Sequence, residues 1–122
     1  MNYLLARATI FGESKEYDLA IQDYDRIINN IEDSSEAKEA RAKKGFIKLT
    51  NNQFPEGWEL YEYRWSIRGK KFLIPELKNF NVINKNILVW AEQGIGDQIL
   101  FSSLLFNALN TTNNFTISLD PR

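Results

Sequence analysis

Cysteine and histidine are both absent from this 122-residue chain. Without cysteine there is no disulfide framework and no thiolate nucleophile. Without either residue a structural zinc site loses its usual ligands, and neither Ser-His-Asp nor Cys-His catalysis can be assembled within the chain. Acid–base work then falls to carboxylates, lysine, tyrosine or the substrate. An excess of one sign of charge is missing too: 15 Lys and Arg face 16 Asp and Glu, for a net charge of −1. Residues 1–70 hold eleven basic and twelve acidic groups, and residues 71–122 hold four of each. That even spread lacks the concentrated basic footprint of a nucleic-acid or anionic-membrane binder, so no nucleic acid is expected as a partner. No apolar run approaches the ~18 residues of a membrane span. The start, Met1 to Arg7, acquires charge too soon for a signal peptide. A cytoplasmic location, no membrane span, and no metal or other cofactor are the expectations.

Hydrophobic residues at 43% and charged residues at 25% suit an ordinary globular chain. Over residues 1–66 the apolar positions recur at three and four, which predicts amphipathic helices at about 2–12, 17–30, 36–50 and 54–66. Turn-favouring clusters separate them: Gly12-Glu13-Ser14, Glu32-Asp33-Ser34-Ser35 and Asn51-Asn52-Gln53. Tyr17, Ala20 and Tyr24 are echoed 37 residues later by Phe54, Gly57 and Tyr61, and Ala8 is echoed by Gly45. Small residues at such places let two helices approach to about 8–10 Å. The unit resembles the tetratricopeptide repeat of about 34 residues. Ala8 and Ala20 match its small positions, Leu4 and Phe11 its large ones, and Tyr17 and Tyr24 its second helix. The chain departs from that pattern at Glu32, where the repeat usually ends a helix with proline, and at Lys48 and Arg64. The resemblance implies a protein or peptide partner. Two units are fewer than the ~3 usually needed to bury a continuous core, so the array is expected to lean on the C-terminal half of the chain.

Phe54, Trp58, Tyr61 and Trp65 fall at i, i+4, i+7 and i+11, one aromatic stripe. Each such ring can bury ~150–250 Å². Helical spacing favours a packing face over a stacking platform for a sugar or base, and docking on the segment that starts near residue 87 is expected. The same stretch, Gly-Trp-x-x-Tyr-Glu-x-Arg-Trp from Gly57 to Trp65, resembles the terminal repeat of bacterial proteins in which tetratricopeptide repeats precede a glycosyltransferase domain. Glu62 and Arg64 read as structural ion-pairing groups. Periodicity is then lost, and residues 67–86 read as a mildly basic linker.

Ile87-Leu88-Val89-Trp90-Ala91 has the apolar, β-forming character of a buried parallel strand. Glu92-Gln93-Gly94-Ile95-Gly96-Asp97 comes next, then helical register from Gln98 to about Asn110, with Ile99, Leu100, Ser103, Leu104 and Phe106 available for burial. Phe115 to Leu119 alternates as a second strand should. Strand, glycine-rich turn, helix and strand compose a parallel βαβ unit. Gly94 and Gly96 supply tolerance for positive φ and an open backbone for a ligand. First-turn N–H groups would then attract an anion or polar hydroxyls. The turn is neither a Gly-x-Gly-x-x-Gly dinucleotide fingerprint nor a Walker A loop. From the residues alone Asp97 is either a helix cap or a chemical group.

Ala91 to Ile99 resembles the opening of the Rossmann-like domain in those repeat-fused glycosyltransferases and, more distantly, the Gly-Asp loop of the lipopolysaccharide heptosyltransferases. The resemblance implies an α+β chain: tetratricopeptide-like repeats over 1–66, a linker over 67–86, and the first βαβ unit of a Rossmann-like, GT-B-type domain over 87–122. It implies a general base at Asp97 and a substrate-binding loop at Gln93, Gly94 and Gly96. Nucleotide sugar and acceptor would be engaged only in a full-length form. Phe101-Ser102-Ser103 departs from the Thr-Thr-Pro segment of the heptosyltransferases. Since the sequence stops after one βαβ unit, a truncated and inactive fragment is expected. The competing expectation is a non-catalytic interaction module built on the repeats.

Overall fold

A computed structural model describes residues 2–69, 85–92, 94–109 and 114–118, and the chain divides into two compact units, Met1–Leu73 and Ile74–Arg122. The first unit runs α1 (Asn2–Glu13), α2 (Tyr17–Asn30), α3 (Ser35–Thr50), α4 (Phe54–Tyr61), a 3₁₀ turn (Glu62–Arg64) and α5 (Trp65–Arg68). Its core is Ala8, Ala20, Tyr24, Ile27, Ala40 and Ile47, with Leu4, Phe11, Tyr17, Ile21 and Ile28 packed around them. Alanine at the crossings keeps the helices close, and the larger rings and branched side chains fill the space beside them.

The 37-residue echo extends to the backbone at two helix ends. After α1, Lys15 N–H donates to the Gly12 carbonyl at 3.1 Å and Glu16 N–H to the Phe11 carbonyl at 2.8 Å. After α3, Asn52 N–H donates to Leu49 at 3.0 Å and Gln53 N–H to Lys48 at 2.9 Å, each partner 37 positions on. Both ends are Schellman motifs, with the left-handed residue supplied by Lys15 (φ 63°) and Asn52 (φ 61°). The first turn is thus not made at Gly12, which lies inside α1. At the next connection Ser34 caps α3, its Oγ accepting from Ala37 N–H at 3.0 Å. The helix expected over 54–66 is interrupted after Tyr61. There the chain tightens to 3₁₀, and Arg64 Nη1 donates to the Tyr61 carbonyl at 3.1 Å and to Glu62 Oε1 at 3.0 Å. Its guanidinium lies 4.6 Å from the Tyr61 ring centre and 4.5 Å from that of Trp65. Glu62 and Arg64 therefore pair as the sequence suggested.

The second unit holds β1 (Asn86–Trp90), α6 (Ile95–Leu109) and β2 (Asn114–Ser118). The strands pair in parallel, in a register running from Asn86 opposite Asn114 to Trp90 opposite Ser118. Ala91 N–H extends the ladder by donating to the Ser118 carbonyl at 3.0 Å. Mostly helical with one small parallel sheet among the described residues, the chain is α+β in the broad sense. The burial expected of α6 is not met: Ile99, Leu100 and Leu104 are 69%, 65% and 63% exposed. Ser103 is exposed as well, and the Phe106 side chain lies outside the described ones. A two-stranded sheet has too little area to cover several faces of a 15-residue helix. Among the described residues no helix is long and apolar enough to cross a membrane.

Candidate functional site

The turn between β1 and α6 is set by how that helix begins. The Gly94 carbonyl accepts from Asp97 N–H at 3.1 Å and from Gln98 N–H at 3.2 Å. The second of these is the first i to i+4 bond, so Gly94 is the cap residue and Ile95 the first helical one. Asp97 is therefore not the cap. It stands third in the helix, in the first turn. The positive end of the helix dipole favours a carboxylate there. Asp97, Gly94 and Gly96 are all exposed. A Cβ added to Gly94 or Gly96 would meet nothing within 4 Å, so the backbone is open to an approaching ligand. Positive φ is not what these glycines supply: among the described residues the only glycine in that region is Gly69. The turn thus brings together three of the four expected site residues, and Gln93 lies outside the described residues. It offers an accessible carboxylate beside bare backbone at a helix start.

A second polar centre was not anticipated from the sequence. Asp23, 2% exposed, accepts from Arg7 Nε and Arg7 Nη2, both at 2.7 Å, and from Arg26 Nη1 at 3.3 Å. Arg7 Nη1 also donates to Tyr3 Oη at 2.9 Å. The hydrogen bonds from Arg7 hold the Asp23 carboxyl below its usual range, against burial, which acts the other way. The same bonds push the Arg7 guanidinium further up. Two-pronged pairing of this kind is the strong form of an ion pair, and it ties α1 to α2 instead of leaving a group for chemistry. Its trace in the sequence is Asp23 itself, a carboxylate between Ala20 and Ile27 on the apolar stripe of α2. Nearby, burial raises the Tyr24 hydroxyl. Lys44 Nζ donates to Asp25 Oδ1 at 2.7 Å, joining α3 to α2, and Lys48 pairs with Glu56 at 3.0 Å across the α3–α4 hairpin.

No protein-family model matches the chain, and no solved structure matches it. Protein FlbA of Caulobacter vibrioides (strain ATCC 19089 / CIP 103742 / CB 15) is 25% identical over 95 residues, which cover 74% of this chain. The match spans 16% of that relative's length.

Proposed function

We propose that this chain joins a tetratricopeptide-like scaffold to the opening of a Rossmann-like, GT-B-type glycosyltransferase domain. In a full-length form the domain would move a sugar from a nucleotide-sugar donor to an acceptor hydroxyl. The observation that supports this most is the parallel pairing of β1 with β2 around an open Gly94–Gly96 turn that carries Asp97 into the first turn of α6. Asp97 accepts the acceptor's proton as the hydroxyl oxygen attacks the anomeric carbon. The bond to the nucleotide breaks and its electron pair leaves with the phosphate. Transfer of this kind requires the carboxylate within about 2.6–3.2 Å of the attacking oxygen. The N–H groups of Ile95 and Gly96 precede the first intrahelical bond, and a helix start of this kind attracts anionic or hydroxyl groups.

In a full-length chain, Asp97→Asn is expected to lower turnover by ~10²–10⁴-fold with the fold intact. Unchanged turnover would remove the base assignment. The 122-residue chain alone is expected to show no transfer with any nucleotide sugar, because the donor half of such an enzyme is a separate domain. A second reading, an interaction module, is favoured by large apolar side chains left exposed on the helical unit: Phe46 at 62%, Phe54 at 50% and Trp58 at 49%. Peptide capture by the intact chain that Trp58→Ala abolishes would favour it.

A further inference from the structure

The contact between α2 and α3 shows which kind of surface covers which. Inside the first unit, Ala40, Lys44 and Ile47 fall at i, i+4 and i+7 on one stripe of α3; Lys44 reaches α2, and Ala40 and Ile47 lie in the core that α3 shares with α1 and α2. Ala40 is 0% and Ile47 4% exposed, and Lys44 Nζ reaches Asp25 at 2.7 Å. Asp25 is itself flanked at the same spacing by Ile21 and Ile28, which pack against the core. An apolar–cationic–apolar stripe of α3 is thus joined through its charge to an apolar–acidic–apolar one of α2.

Moving back 37 positions from Ala40, Lys44 and Ile47 gives Tyr3, Arg7 and Ile10 on α1. Moving forward 37 from Ile21, Asp25 and Ile28 gives Trp58, Glu62 and Trp65. Both sets keep the order apolar, charge, apolar, with the same signs; the first lies on α1, and the second runs from α4 across the 3₁₀ turn to the start of α5. Unlike their internal counterparts they are largely uncovered. Tyr3 is 66% and Ile10 61% exposed, Trp58 is 49% exposed, and the Glu62 side chain is 59% exposed. Trp65 is half-buried. Arg7 spends Nε and Nη2 on Asp23 and donates from Nη1 to Tyr3 Oη, yet its side chain stays 34% exposed.

We infer that the Tyr3–Arg7–Ile10 face of one molecule docks on the Trp58–Glu62 face of a second copy, repeating the α2–α3 contact between chains. Such an interface is heterologous: the two surfaces differ, so copies join head to tail. Burial of apolar residues drives the contact, and the opposite charges of Arg7 and Glu62, which within the chain also pair with Asp23 and with Arg64, set its direction.

The test uses the intact chain in sedimentation velocity over a concentration series, with helical content followed by circular dichroism. Wild type is expected to grow beyond a dimer as concentration rises. Ile10→Glu blocks one face and Trp58→Glu the other, so each variant alone is expected to sediment as a monomer with unchanged helicity. Mixed in equal amounts they retain one intact face each and are expected to form a 1:1 dimer that grows no further. Wild type that stays monomeric throughout overturns the inference. So does association that survives in each variant, as a contact through the exposed face of α6 would produce. A mixture that stays monomeric overturns it as well, since the two intact faces would then not fit each other; so does a Trp58→Glu variant that still associates by itself, as a symmetric contact through α1 alone predicts. Should either variant lose helicity, Tyr3→Lys and Trp58→Lys take their places with the same three outcomes. Transferase activity does not enter any of these readouts.

Discussion

Gly45 and Gly12 show how one residue type takes opposite roles. A Cβ on Gly45 would lie 2.6 Å from the Tyr61 backbone nitrogen and 2.9 Å from the Leu60 carbonyl carbon, neither of which can rotate away. At Gly12 the nearest atoms are Ile47 Cδ1 at 3.7 Å and Tyr24 Oη at 4.0 Å, ordinary contacts. Gly45→Ala gains helix propensity of about 1 kcal/mol but must push α4 off α3, and overpacking of this kind costs ~1–3 kcal/mol. A net loss of stability is expected, whereas Gly12→Ala should gain ~0.5–1 kcal/mol. Urea midpoints of the two variants measure the contrast, and a stabilising Gly45→Ala would disprove the close crossing. Asp23 gives a dependence on pH. Its folded pKa is depressed by Arg7, so its stabilising contribution is present above the unfolded value of about 3.9 and is lost as pH falls through the folded value. Asp23→Asn is expected to cost ~1–3 kcal/mol at neutral pH. The gap to wild type should narrow steadily in acid below about pH 4, as read from denaturation midpoints across pH. A constant gap would mean the carboxylate charge is not what holds α1 to α2.

Among the elements, the two helix ends at Lys15 and Asn52 share one backbone solution with different chemistry. A left-handed non-glycine residue is strained by ~1–2 kcal/mol, less for asparagine. Lys15→Gly is therefore expected to raise thermal stability, and by more than Asn52→Gly does; equal effects would contradict the strain assignment. The helices themselves were legible because apolar period and small crossing positions are local properties. The ending of α4 at Tyr61 was not, because the Arg64 contacts that accompany it involve groups brought together by the turn itself. In the candidate site, the order strand, glycine turn, acidic residue, helix was readable from residues 87–110. The start of α6 was misplaced by three residues because glycine is a poor helix former, which made Gly96 read as turn. Capped by the Gly94 carbonyl, it fits the first turn, where side-chain-free backbone costs little.

For the molecule as a whole, ligand response separates the readings of function. On the transferase reading, a chain carrying both halves of such an enzyme is expected to gain thermal stability with nucleotide sugar in proportion to RT ln(1 + [L]/Kd), about 2.7 kcal/mol at a hundredfold excess over Kd. The 122-residue chain should show no shift in the same titration; an equal shift in both would place the donor site inside these residues. Periodicity, the 37-residue echo and the sequence of strand, turn, helix and strand are properties of neighbouring residues, and the chain alone determined them. The pairing of Arg7 with Asp23, the meeting of Lys44 with Asp25, and the exposure of Tyr3, Ile10 and Leu104 were decided by folding. Those pairs lie 16 and 19 residues apart, and whether an apolar side chain is covered depends on which distant element reaches it. No local spacing carries that information.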